Sequence, residues 1–202
     1  KLCFVSSKRE KFILSFDMNN ISKILAATSA AILSAASCGN MPTGEFQFDL
    51  LTTNDVHGAW FDSTYVDGPR RTSLMAVNTY VNAFRDSLGI DNVILVDAGD
   101  CLQGDNAPYY YNYVDTVTPH LFPRLAAYLK YDAVCVGNHD VETGHAVYDR
   151  VAEDLKANGI PFLAGNAIRP DGKSYFDEVR ILKRHGVKIA VLGFTNPNIK
   201  AW

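Results

Sequence analysis

The sequence holds 202 residues, 48% of them hydrophobic and 20% charged, with a formal net charge of −3. That is enough chain for one domain with a real core, or for part of a larger one. No basic stripe runs through it, which argues against nucleic-acid binding by phosphate neutralisation.

Residues 1–17 (KLCFVSSKREKFILSFD) lack an initial methionine and precede Met18, so they are expected to be upstream sequence outside the fold. From Met18 the chain runs MNNISKILAATSAAILSAASCGN: Lys23, an apolar stretch from Ile24 to Ala36, small residues, then Cys38. This is the layout of a secretory signal peptide, with an apolar part too short to span a bilayer. Its end, SAASC, resembles a bacterial lipoprotein signal, which predicts a signal peptide over 18–38 and a lipidated Cys38. A buried first helix is the alternative, although positions 24–37 show no polar face. Residues 39–45 (GNMPTGE) read as a tether, and the fold is expected over 46–202. With Cys3 outside and Cys38 lipidated, Cys101 and Cys135 make no disulfide framework, and Cys135 reads as a small buried hydrophobe.

An apolar run from Phe46 to Leu51 opens the domain as a strand ending in polar residues. Leu74, Val77, Val81, Phe84 and Leu88 recur at spacings of three and four, a helix that Gly89 stops. Val93–Val96 is apolar on both faces, as suits a sheet covered on both sides, and ends on Asp97 and Asp100. The tyrosine-rich stretch Asn106–Asp115 has no clear period. Pro119–Tyr131 predicts a helix with Leu121, Leu125, Tyr128 and Leu129 on one side. AVCVG is a third buried strand, Glu142–Asn158 a helix closed by Gly159, IPFLAGN a fourth strand, and Arg180–Phe194 a hairpin turning at Gly186. The alternation of strand and helix argues an α/β layered domain.

Three strands end in polar clusters: Asn54, Asp55 and His57 in NDVHG; Asp97 and Asp100 in DAGDCLQGD; Asn138, His139 and Asp140 in GNHD. Open α/β sheets bind ligands beyond the carboxyl ends of their strands, so parallel neighbours would bring these clusters to one rim. Asp, His and Asn offer oxygen and nitrogen donors without thiolate, which suits Mn, Fe, Zn or Mg. Alone, Asp55 and His57 could be a helix cap and a surface histidine, and Asp100 an ordinary turn residue. Three such clusters in order, each after a buried strand, favour a metal rim.

TNDVHG, DAGDCLQG and VGNHDVETG, followed by LAGN and GFTNP, resemble the amino-terminal part of the 5′-nucleotidase and 2′,3′-cyclic phosphodiesterase family of calcineurin-like metallophosphoesterases. The resemblance implies a layered β-sheet sandwich flanked by helices, incomplete at the carboxyl end. It implies two divalent ions, with Zn, Mn, Fe, Mg and Ca not distinguished. Asp55 and His57 would bind the first, Asp100 would bridge both, and Asn138 would bind the second and touch the phosphate. His139, paired with Asp140, would stabilise the transition state and protonate the leaving alkoxide while a metal-bound hydroxide attacks in line.

The family's later histidines and its nucleobase-stacking domain have no counterpart up to Trp202, so weak metal binding and little turnover are expected. His145 is expected near the surface or behind the ligands, and His120 and His185 in solvent. The implied whole is a monomeric, extracytoplasmic hydrolase of nucleotides or related phosphoesters, touching membrane only through a lipid, in the periplasm, on the outer membrane or at the cell surface. A non-catalytic lipoprotein module on the same scaffold and a thiosulfate-ester hydrolase stand as alternatives.

Overall fold

The computed structural model describes residues 4–8, 46–64, 68–69 and 72–197, so the signal peptide and tether expected over 18–45 lie outside the described residues. Its centre is a parallel sheet of β2 (Asp49–Asn54), β5 (Val93–Asp97), β6 (Ala133–Cys135) and β7 (Phe162–Leu163), adjacent in that order. β1 (Phe4–Lys8) pairs antiparallel along the outer edge of β2, so part of the segment expected outside the fold lines the sheet. β3 (Ser63–Thr64) and β4 (Gly68–Pro69) form a separate small ribbon.

β5 explains why its run is apolar throughout. Leu95 faces the main core of Leu51, Trp60, Val77, Leu129, Val134 and Val151, while Ile94 packs on the opposite face with Phe48 and Leu182. Leu182 comes from the hairpin β8 (Val179–Arg184) and β9 (Val187–Leu192), which covers that second face. The demand of this smaller cluster for Phe46 and Phe48 accounts for the late start of β2 at Asp49: both phenylalanines pack on the hairpin side before the ladder begins.

α1 (Leu74–Leu88) has the expected bounds, with Ser73 Oγ accepting from Ala76 N and Gly89 at φ 87 ending it. Its buried stripe is Leu74, Val77, Val81 and Arg85, while Leu88 is exposed. The Arg85 guanidinium donates to Leu129 O (2.7 Å) and Lys130 O (2.9 Å), satisfying carbonyls at the carboxyl end of the next helix.

That helix, α3 (Leu121–Leu129), starts later than predicted, and Tyr128 is 63% exposed instead of joining the apolar face. Its cap is His120, which is wholly buried, a correction to its expected place in solvent. Nδ1 accepts from Phe122 N (3.2 Å), which requires the proton on Nε2; Nε2 then donates to Asn112 Oδ1 (3.0 Å). Burial, with Arg150 adding to it, pushes the His120 pKa down to about 3.

The helix predicted from Glu142 is two helices. α4 (Asn138–Glu142) carries the GNHD residues themselves, and α5 (His145–Ala157) follows a break at Gly144, φ 87. Before them, α2 (Asn106–Tyr109) runs into a π-helical turn over Tyr110–Val114. Among the described residues no helix is long and apolar enough to cross a membrane.

Because His120 resists protonation when folded and accepts a proton near its ordinary value of 6.5 when unfolded, its contribution is present above pH 6.5 and lost as pH falls towards 3. Urea titrations at pH 7 and pH 5 should therefore show wild type losing about 1–2 kcal/mol more stability than His120→Gln, which cannot titrate.

Candidate metal centre

The strand ends feed one rim through backbone pairing that continues past the ladder. Ala98 N donates to Thr53 O (2.8 Å), Asp55 N to Gly99 O (3.1 Å) and His57 N to Asp100 O (2.8 Å). Asp55, His57 and Asp100 all take positive φ, at 51, 46 and 64. Such backbone costs energy in a non-glycine residue and persists where the surroundings enforce it.

The third segment closes against the second. A Cβ on Gly99 would stand 2.5 Å from Gly137 N, and one on Gly137 would overlap the Asp100 side chain, so both positions need glycine. Asp140, fully buried on α4, holds the two together: Oδ2 accepts from Asp100 N (2.9 Å) and Gly137 N (2.9 Å), and Oδ1 from Cys101 N (2.9 Å) and Leu102 N (2.8 Å). Burial raises its pKa, and these backbone donors oppose that rise. Beneath it, burial lifts the Asp97 carboxyl to about 7 against hydrogen bonds from Thr53, Gly99 and Cys101.

Within this frame His57, Asp100 and His139 converge, with one donor atom from each inside 4.8 Å of the others. Three donors around one ion at about 2.0–2.2 Å lie about 3.3–3.8 Å apart, so a pair at the 4.8 Å limit would have to close by about 1 Å on binding. The His57 and His139 rings are 5.1 Å apart. His57 Nδ1 is buried without a hydrogen-bond partner among the described residues, an atom that a ligand would satisfy.

The gathered trio is two of the four expected ligands plus the imidazole expected beside the ions. Asp55 is half exposed, held by Asn54 Nδ2 (2.7 Å), with Oδ1 3.7 Å from His57 Nε2. Asn138 opens α4, half-buried. The expected pairing of His139 with Asp140 is replaced: both Asp140 oxygens are taken by backbone N–H groups, and His139 Nδ1 lies 2.9 Å from Glu142 Oε2. Glu142 also accepts from Gln103 Nε2 (3.1 Å), and these bonds, that of His139 first, hold its carboxyl below the usual range. Sequence reasoning passed over Glu142 because it took Glu142 as the start of the next helix; on a helical turn beginning at Asn138, the i,i+3 spacing brings it to His139.

His145 sits at the exposed start of α5, bonded to Tyr175 Oη (2.8 Å), and His185 in the hairpin turn reaches Asn92 (2.6 Å). A depression of about 450 Å³ lies along α5 between Asp149, Glu153, Lys156, Arg169 and Tyr175, and contains none of the converging residues. Its mixed charges define no ligand.

No protein-family model matches the sequence. A 5′-nucleotidase of Vibrio parahaemolyticus is 27% identical over 188 residues, 88% of this chain and 31% of the relative. The snake venom 5′-nucleotidase of Naja atra is 30% identical over 165 residues, 75% of this chain and 29% of the relative. The fold superposes on the calcineurin-like phosphoesterase YfkN of Bacillus subtilis with a TM-score of 0.63 at 23% identity, covering 77% of this chain and 50% of that one. The chain is homologous to the amino-terminal part of 5′-nucleotidases and takes the fold of calcineurin-like phosphoesterases. It spans about a third of the length of the curated relatives it matches. The metallophosphoesterase architecture of layered sheet and helices is thus present in part, as the family resemblance implied.

The two acidic residues of α4 should separate cleanly on mutation. Asp140→Ala leaves four buried N–H donors unmatched and should cost about 3 kcal/mol or more in chemical denaturation. Glu142→Gln should change stability by less than about 1 kcal/mol, because its partners stay solvent-accessible.

Proposed function

We propose that the chain supplies the metal-binding part of a phosphoesterase that hydrolyses nucleotides, with residues 46–202 as the amino-terminal part of its catalytic domain. The observation that carries this is the convergence of His57, Asp100 and His139 on one rim of a metallophosphoesterase fold. His57 and Asp100 would hold divalent metal, and Asp55 and Asn138, placed beside them by chain order, would complete the shell toward two ions. The metal, when bound, supplies positive charge against the phosphoryl oxygens and acidifies water for in-line attack on phosphorus.

The protein's own part in the step falls to His139. Glu142 Oε2 accepts a hydrogen bond from His139 Nδ1, which fixes the ring and leaves Nε2 free for another partner. A proton held at Nε2 stabilises charge on the phosphoryl group and then passes to the departing alkoxide. Asp140 acts on Asp100 by holding its loop, a positioning role distinct from the catalytic one first expected.

The same reading places the protein outside the cytoplasm, as a monomer tethered through lipid on Cys38; its support is the signal-like stretch MNNISKILAATSAAILSAASC. Calorimetry with Mn²⁺ should detect binding that Asp100→Ala weakens about a hundredfold or more, since even residues behind the ligands cost about 10–100-fold. Undiminished Mn²⁺ affinity in that variant would sink the metal reading.

A further inference from the structure

Gln103 lies in the Asp100 loop and reaches across to α4, yet the metal chemistry proposed above gives it no part. Its backbone is fixed on both sides. Leu102, fully buried, donates its N–H to Asp140 Oδ1 (2.8 Å), and its carbonyl accepts from Asn112 Nδ2 (2.7 Å). Gly104, at φ 118, is so close to the first strand end that a Cβ there would stand 2.8 Å from His57 O. Between these two residues the Gln103 side chain starts from a settled point.

Its amide meets a carboxylate that needs a second anchor. Glu142 is the last residue of the short α4, and it forms an i,i+3 pair with His139 in which the side chains are 32% and 34% exposed. A pair open to water to this extent is worth little and holds neither partner firmly. Glu142 Oε2 nevertheless takes two bonds, from His139 Nδ1 (2.9 Å) and from Gln103 Nε2 (3.1 Å). A carboxylate offers only acceptors, so the amide nitrogen of Gln103 must face it. This second donor comes from a different element, so the carboxylate is held from two directions and does not swing with the end of the helix.

Resting on the proposed phosphoesterase site, we infer that Gln103 is a positioning residue that holds the Glu142 carboxylate where it keeps the proton of neutral His139 on Nδ1. Nε2 is then the nitrogen that takes up and gives away the transferred proton. Gln103 acts through Glu142 and not on the reacting atoms. Its place in the Asp100 loop means that one segment presents a metal donor and also sets the ring that serves the leaving group. Supporting partners of this kind, behind the groups that do the chemistry, decide whether a site keeps its geometry.

The test reads the ring nitrogens of His139 by long-range ¹H–¹⁵N NMR in the metal-free whole chain at about pH 9, where a ring of ordinary pKa is neutral. Wild type should show Nδ1 protonated and Nε2 bare. Gln103→Ala should move the ratio of the two neutral tautomers about three- to tenfold toward Nε2–H, the weight of one hydrogen bond. The backbone N–H signals of Asp100, Cys101 and Leu102 should stay in place. The double variant Gln103→Glu/Glu142→Gln reverses the polarity of the pair: the amide now at position 142 donates to the carboxylate at 103 and turns its oxygen to His139. The ratio should therefore return toward wild type. An unchanged ratio in Gln103→Ala overturns the assignment, as does a wild-type ring with no preferred tautomer. A double variant no better than the single one overturns it too, since the loss then comes from damage to the loop. No metal or substrate is present, so these outcomes are separate from the Mn²⁺ titration of Asp100→Ala, on which the phosphoesterase reading stands or falls.

Discussion

A carboxylate removed from water must find donors, and a loop that ends a strand leaves N–H groups without partners; Asp140 answers both demands at once. Its side chain is fully buried and collects N–H groups from Asp100, Cys101, Leu102 and Gly137. Three belong to the loop after β5 and one to the loop after β6, so a single anion joins two strand ends that no ladder bond reaches. With the carboxylate gone, the Asp100 loop would lose three of its backbone partners. The position of Asp100 relative to His57 and His139 rests on this group together with the bonds from His57 N to Asp100 O and from His139 N to Asp100 Oδ1.

The consequences run outward from that clamp. Because Gly99 and Gly137 are pressed together, Asp100 must turn away with φ 64, and its Oδ1 then accepts from His139 N (2.9 Å). The strained backbone at Asp55 and His57 is held in the same way, by N–H groups bonded across to Gly99 O and Asp100 O. Strain of order 1–2 kcal/mol per left-handed residue survives because each such residue is pinned by a neighbour that is itself pinned. A rim built from such residues keeps its donors apart and pointing inward before any ligand arrives, which is the condition for a site that reorganises little on binding.

The sequence was most legible where one force dominates. Burial on two faces makes Val93–Val96 continuous in apolar residues, and α1 repeats with its period and stops at Gly89, so both were readable. It was least legible where a polar group takes an apolar role or the reverse. His120 looks like a surface residue after a proline, yet it is buried because its two nitrogens find Phe122 N and Asn112 Oδ1, partners that no local pattern announces. Arg85 takes the place of an apolar residue in α1 because the last carbonyls of α3 lie opposite it, a tertiary fact. In GNHD the residue types announced chemistry, but which carboxylate serves the backbone and which the imidazole depends on whether the segment coils. The break at Gly144 turned Glu142 into the end of one helix instead of the beginning of another.

That division between Asp140 and Glu142 bears on how such a rim can vary. Asp140 is short and buried, and its four bonds leave no freedom; Glu142 is longer, partly exposed, and accepts from both His139 and Gln103. The first can tolerate little change without unmaking the loop, while the second sets only the orientation of one ring. Gln103 belongs to the Asp100 loop, so the ring's orientation is nonetheless referred back to the same clamp. Tyr113 reaches the backbone one residue beyond Glu142. The converging side chains, Glu142 and Tyr113 are therefore parts of one hydrogen-bonded frame whose separations the backbone already fixes.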